Sequence, residues 1–256
     1  MKHDGNRGDK EPAPVLWVER EGVRMYGEPG GKVEQKDLET LRVSTGSLLH
    51  VTRHLTGMSP EARQRLVGKS HVDGGQERVI DDEFIDAQLA STGSKFNEKI
   101  TDPQLMIDFC LRRYKEAIEA GDAGEWLKRS ETGMVDTGIF IDVTPEQKVE
   151  LGLGPEDHLG TSSVIEITPE VADKVRREIR GKGEVHDHIE VNVVGGTPPV
   201  TDQMVIVLRR HLDSDVPEFF SAYSGILTPN MPRPDRQAGE ELAHNKAWWD
   251  SHAFVK

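Results

Sequence analysis

Ser221 and Tyr223 stand two residues apart in the apolar run Phe219-Phe220-Ser221-Ala222-Tyr223, so a strand there puts both hydroxyls on one face. Far upstream, His54 lies one turn before a short helix start, Ser59-Pro60-Glu61, that carries Arg65. These four side chains are of the types needed to split an RNA phosphodiester without a metal. A histidine moves a proton near neutral pH. An arginine holds a phosphate and its developing charge. A serine and a tyrosine hydroxyl can donate hydrogen bonds to the same phosphate. No other cluster in the sequence offers a complete reaction, so the functional reading turns on whether these residues converge.

Each of them also has an ordinary use. His54 can cap or pack near a helix start, and Arg65 can pair with Glu61 one turn earlier. Tyr223 in a strand suits a core, and Ser221 can hydrogen-bond across a sheet. His50 and His54 have the four-residue spacing of metal ligands on a helix, but no acidic or cysteine partner accompanies them. His186-Asp187-His188 reads as a surface triplet at a strand start, because in a strand Asp187 faces away from the two histidines. Gly30-Gly31 and Gly195-Gly196 are turn signals rather than phosphate loops, since neither opens a helix after a strand. Cys110 is the only cysteine and sits in an apolar helical pattern, so a buried structural thiol is expected. Trp248 and Trp249 are expected to anchor the tail, with base stacking as their alternative use, and His252 is an outside candidate for a second proton donor.

The elements that must position these groups read as an α+β order, helices first and an antiparallel sheet later. Ser59-Pro60-Glu61, Thr144-Pro145-Glu146 and Thr168-Pro169-Glu170 each offer an N-cap hydroxyl, a proline at the first helical position and an acid in the first turn. The longest helix is expected over 102–120, with Leu105, Met106, Phe109, Cys110, Tyr114, Ala117 and Ile118 as its apolar stripe and Gly121 as its end. Val171, Val175 and Ile179 suggest a further amphipathic helix closed by Gly181, and a final short helix carries Trp248, Trp249, His252 and Phe254. Strands are expected at 138–143, 163–167, 189–193, 204–208 and 219–223, the last two as a hairpin. Segments 15–18 and 23–26 could form another hairpin, and 27–36 reads as loop.

The 256 residues allow one large or two modest domains. With 35% hydrophobic and 30% charged residues, the chain suits an economical soluble core. It holds no apolar run of the roughly 18 residues a membrane span needs. No signal peptide is visible, and a single cysteine favours a reducing, cytoplasmic setting. A net charge of −13 argues against a general nucleic-acid binder. Residues 41–80 nevertheless carry six basic side chains against three acidic ones, which suits either a small anionic target or solvated surface.

The segment from His54 through Arg65-Leu66 resembles the opening of the ribonuclease-A-like toxin domain of bacterial contact-dependent growth inhibition proteins, which has a histidine, a short turn and a helix bearing an arginine followed by leucine. Ala90-Ser91-Thr92-Gly93-Ser94-Lys95-Phe96 is similar, more loosely, to a small-residue stretch of that family. Trp126-Leu127 matches a Trp-Leu pair, and Ser221-Ala222-Tyr223 a terminal Thr-Ala-Tyr-Pro strand. The likeness covers residues 45–130 and 200–230. It implies a helical half packed on a curved antiparallel sheet, with His54 as general acid/base, Arg65 as phosphate clamp, Ser221 in place of the family threonine and Tyr223 keeping the phenol. The chain departs from the pattern at Ser224, where the family has proline, at 68–90 and about 130–200, which read as insertions, and in its acidity.

On this resemblance residues 1–40 form a partly disordered extension, 41–235 a single nuclease-like α+β domain with an insertion at about 130–200, and 236–256 a helical tail. The implied activity is metal-independent RNA cleavage to a 2′,3′-cyclic phosphate, with no cofactor, an RNA partner such as tRNA, an inhibitor (immunity) protein as a second partner, and no membrane. The rival reading is a non-catalytic binding or assembly protein that docks a partner through 228–234 and the double tryptophan.

Overall fold

The computed structural model describes residues 23–24, 26–73, 75–129, 134–181, 188–211 and 214–256. The polar start, the strand expected at 15–18, and His186 and Asp187 lie outside the described residues. Along the first half run β1 (Glu28–Lys32), α1 (Gln35–Glu39), α2 (Thr45–Thr52), α3 (Pro60–Gln64), β2 (Ser70–Asp73), β3 (Gln76–Val79), α4 (Asp82–Leu89), β4 (Lys95–Phe96) and α5 (Pro103–Ala120). Then come β5 (Glu125–Arg129), β6 (Met134–Asp142), α6 (Pro145–Val149), β7 (Gly160–Thr161), β8 (Val164–Glu166), β9 (Val175–Arg180) and β10 (His188–Val193). The chain finishes with β11 (Val200–Thr201), β12 (Gln203–His211), β13 (Glu218–Ser224), α7 (Gly239–Ser251) and β14 (His252–Val255). The fold is α+β.

The main sheet has five antiparallel strands in the order β1-β5-β6-β12-β13. Its central strand, β6, falls inside the stretch expected as an insertion. Helix α5 covers one face. Asp102 caps it through Gln104 N–H, Pro103 opens it, and Gly121 ends it at φ 83°, a left-handed angle that glycine adopts without strain. Its buried stripe is Met106, Ile107, Phe109, Cys110, Arg113 and Tyr114. Ile107 thus takes the place expected of Leu105, which is 37% exposed. Its apolar members meet Trp126, Ile139, Ile206, Leu208, Phe219 and Ala222 from the sheet in the principal core. Each fully buried large apolar side chain there contributes about 1.5–3 kcal/mol. Cys110 is part of this packing, and burial pushes its thiol up, away from a reactive thiolate.

A second core gathers Val164, Val191, Val193, Trp248, Trp249 and Ala253 beneath a four-stranded sheet ordered β8-β14-β10-β9. Trp248 and Trp249 are therefore buried, as the anchoring reading expects, and not presented for docking. His252 and Phe254 are not helical. They lie on β14, which pairs parallel with β10 and antiparallel with β8.

Two other expectations are corrected. The helix expected from Val171 to Gly181 is only a single turn at Ala172–Lys174, followed by strand β9. Val175 and Ile179 fit a period of two as well as a helix, and β10 provides a ladder from His188↔Arg180 to Val193↔Val175. The loop expected over 27–36 holds β1 and α1. Gly30 makes that strand possible, because a Cβ there would sit 2.9 Å from the Trp126 Cβ.

Lys148 on α6 is 3% exposed and spends its ammonium on the carbonyls of Pro155 (3.2 Å) and Asp157 (2.7 Å) and on the Asp202 carboxylate (3.1 Å). Lys148→Met keeps the volume and strands those acceptors. It is expected to lower unfolding free energy by about 2 kcal/mol in urea titration.

Candidate functional site

Strand β13 brings Ser221 and Tyr223 to the surface opposite the core through a bulge. Pairing runs Val207↔Ser221 and then Leu208↔Phe219, so Phe220 has no partner of its own on β12. Phe219 and Ala222 turn into the core while Phe220, Ser221 and Tyr223 line a cleft of about 460 Å³. His54 faces them. It follows the Arg53 cap of α2, and its backbone N–H donates to Val51 O at 2.9 Å. Its ring centroid is 5.7 Å from that of Tyr223. Ser94 stands beside it, 2% exposed. The cleft is closed on the far side by Glu190, Phe254 and Lys256 from the four-stranded sheet, so it lies where the two sheets meet.

His54 Nδ1 lies 3.0 Å from the Ser94 carbonyl oxygen and 3.1 Å from its hydroxyl. A carbonyl only accepts, so Nδ1 carries the proton and Nε2 holds the lone pair. Burial lowers the His54 pKa to about 4, and the charges of Lys95 and Arg53 push the same way against the Ser94 carbonyl. At neutral pH the ring is thus an uncharged base and not an anion-binding cation.

Of the four expected side chains, His54, Ser221 and Tyr223 meet in this cleft and Arg65 does not. Arg65 ends the short helix α3 with its side chain 52% exposed and its guanidinium 2.5 Å from Asp102, the cap of α5. It pairs neither with Glu61 nor with anything in the cleft. Part of the local positive charge expected over 41–80 is spent in the same way: Arg63 pairs with Asp82 and Asp86 on α4, while Arg53 keeps its charge and donates to the neutral Gln88. The cation that does line the cleft is Lys256, ion-paired with Glu190. Sequence reasoning missed Lys256, Glu190, Phe220 and Ser94. Ser94 had left a signal as part of the small-residue stretch 90–96, and Phe220 as part of the apolar run 219–223.

Phe220 also walls a second cleft of about 430 Å³, with His50, His71, His211, Arg209 and Glu218 around it. Its ring lies 4.5 Å from that of His50, and the Arg209 guanidinium lies 3.5 Å from its centroid. Arg209 is neutralised by a bidentate contact with Asp136 at 2.6 and 3.1 Å, and Glu218 accepts from Ser44. Burial lowers the His50 pKa to about 4, helped by the charges of Arg53 and Arg209. Among the described residues, no group of three or more histidine, cysteine, aspartate or glutamate side chains is arranged to hold a metal ion, and no helix is long and apolar enough to cross a membrane.

No family model matches the chain, and no curated protein matches it. Among solved structures it is similar to a conserved hypothetical protein from Toxoplasma gondii ME49, at 10% sequence identity, covering 78% of this chain and 92% of that chain, with a TM-score of 0.35.

Proposed function

We propose that the His54 cleft cleaves RNA without a metal, by transesterification. The observation that supports this reading is the meeting of His54, Ser221 and Tyr223, from segments more than 160 residues apart, in one cleft beside a buried serine. The nucleophile would be the substrate's own 2′-hydroxyl. His54 Nε2 would take its proton as the oxygen bonds to phosphorus. The bond to the 5′-oxygen then breaks and that oxygen takes up a proton, leaving a 2′,3′-cyclic phosphate and a 5′-hydroxyl. Ser221 and Tyr223 would donate to the phosphate oxygens, and Lys256, in place of Arg65, would leave its ion pair with Glu190 to meet the developing charge. Within this reading the toxin resemblance suggests tRNA as substrate, a small inhibitor protein as partner and action in a cytoplasm.

The test is RNA incubated in EDTA with the wild type, His54→Ala and Arg65→Ala. His54→Ala is expected to lose about 10²–10⁴-fold in rate, the usual worth of general acid–base catalysis. Arg65→Ala is expected to cleave like the wild type, since its guanidinium is engaged with Asp102. The free-enzyme rate should rise with pH through about 4, where His54 becomes neutral. Intact RNA with folded wild-type protein would discard the reading in favour of a binding or assembly role.

A further inference from the structure

Three consecutive residues hold His54 from three directions. Ser94 takes the ring, with its carbonyl oxygen 3.0 Å and its hydroxyl 3.1 Å from Nδ1. The Phe96 N–H donates to the carbonyl of His54 itself at 2.7 Å. Between them, Lys95 Nζ donates to the carbonyls of Arg53 (2.6 Å) and Leu55 (3.1 Å), the two neighbours of His54, and to that of Leu89 (2.8 Å) at the end of α4. An ammonium has three N–H bonds, and here each finds one carbonyl. The peptide units on either side of His54 are therefore tied to one charge, so the residue cannot pivot about its backbone without breaking a charge-assisted bond, while its ring is held by the neutral contacts with Ser94. Lys95 is itself anchored from behind, because its carbonyl accepts from Ser224 Oγ at 3.0 Å, next to Tyr223 on β13. The same strand end that presents Tyr223 thus also seats the segment that grips His54.

We infer that Ser94-Lys95-Phe96 is the positioning element of His54, fixing it in the Nδ1–H form with Nε2 left as the base, and that Lys95 is a positioning residue for the reaction proposed above, on which this inference rests. Lys95 touches neither the ring nor the cleft, being absent from its lining. It acts through the backbone. A bare packing role would leave the ring's proton where it is, whereas a positioning role ties the tautomer and the rate to the three carbonyl bonds.

The experiment is a nitrogen-15 spectrum of the histidine rings near neutral pH, without RNA, on the full chain and on Lys95→Met, followed by steady-state kinetics of both. In the wild type, His54 is expected to show a protonated Nδ1 and a bare Nε2. In Lys95→Met its two nitrogens should move toward the average of the tautomers, and kcat should fall about 10²-fold with KM little changed, as for a base displaced by an ångström or less. A wild-type His54 protonated on Nε2 overturns the inference. So do unchanged His54 nitrogens in folded Lys95→Met, or, where that variant does not fold, in Lys95→Gln, whose two donors on a shorter side chain cannot serve all three carbonyls and which is expected to give a smaller shift in the same direction. If the wild type cleaves no RNA while the His54 nitrogens behave as expected, the ribonuclease reading falls and the positioning of His54 stands.

Discussion

Between pH 6.5 and pH 4 the folded state is expected to lose several kcal/mol of stability, most of it through two histidines. His50 and His54 both have their pKa lowered from 6.5 to about 4 in the fold, chiefly by burial. The native state therefore prefers them neutral, while the unfolded chain protonates them on the way down from pH 6.5. In that window the unfolded state binds more protons, so stability falls as pH falls. The contribution is fully present above pH 6.5 and gone near pH 4. His54, almost wholly enclosed, accounts for on the order of 3 kcal/mol, from about 1.4 kcal/mol per pH unit, and His50, which is partly exposed, for less because solvent screens it. A domain at the lower end of ordinary stability, about 5 kcal/mol, would approach its midpoint on losing both. The groups around them make matters worse for a proton. His50 feels Arg53, Arg209, His54 and His71, and His54 feels Lys95 and Arg53. Urea midpoints measured at pH 7 and at pH 4.5 should differ widely in the wild type, and His50→Asn with His54→Asn should flatten the difference. An unchanged midpoint in the wild type would mean that the two rings are already charged in the fold.

Gly160→Ala is expected to cost about 3 kcal/mol or more, or to prevent folding altogether. Gly160 lies on β7 between β4 and β11, opposite Phe96 and Thr201. A Cβ there would run into the carbonyl oxygen of Lys95, and would lie 2.8 Å from Ser224 Oγ and 2.9 Å from Phe96 Cα. Two of these obstacles are backbone, and neither can rotate aside. Relief requires moving β4 away from β7, which also breaks the hydrogen bonds from Ser224 Oγ to Lys95 O (3.0 Å) and Thr161 O (2.8 Å). Gly57 is the control. Its φ is ordinary and nothing lies within 4 Å of a Cβ built on it, so Gly57→Ala should be neutral or stabilising by about 0.5 kcal/mol through the unfolded chain. Urea denaturation of the two variants decides the point. Equal midpoints would mean that the three strands around Gly160 are not packed as described.

What could be read in the sequence was what local chemistry decides. Asp102-Pro103 and Gly121 delimit α5 within a residue, because cap, proline and left-handed glycine act inside one turn. The β12–β13 hairpin and the shared face of Ser221 and Tyr223 follow from alternation alone. What stayed hidden depends on partners distant in sequence. Nothing local tells whether Val171-Val175-Ile179 will obey a helix or the ladder offered by β10. Nothing in the His54–Arg65 spacing shows that Asp102 will take the arginine. Ser94 could be noticed but not ranked, since its value lies in facing a ring 40 residues earlier. Lys256 enters the cleft only because β14 pairs with β10, an arrangement that short polar-apolar tails do not announce.

That pairing has a consequence for how the chain comes to be folded. β14 is not an edge added to a finished sheet. It sits between β8 and β10, which have no ladder with each other. During synthesis both must wait, with open backbone edges facing a gap, until residue 255 has emerged. Closing that gap joins segments about 60 and 90 residues apart, a slow, non-local step. The principal core can assemble earlier, since its strands and α5 are complete by Ser224. The second core is the last to form, and the wall of the cleft that carries Lys256 arrives with it, so His54, Ser221 and Tyr223 are in place before the cleft exists.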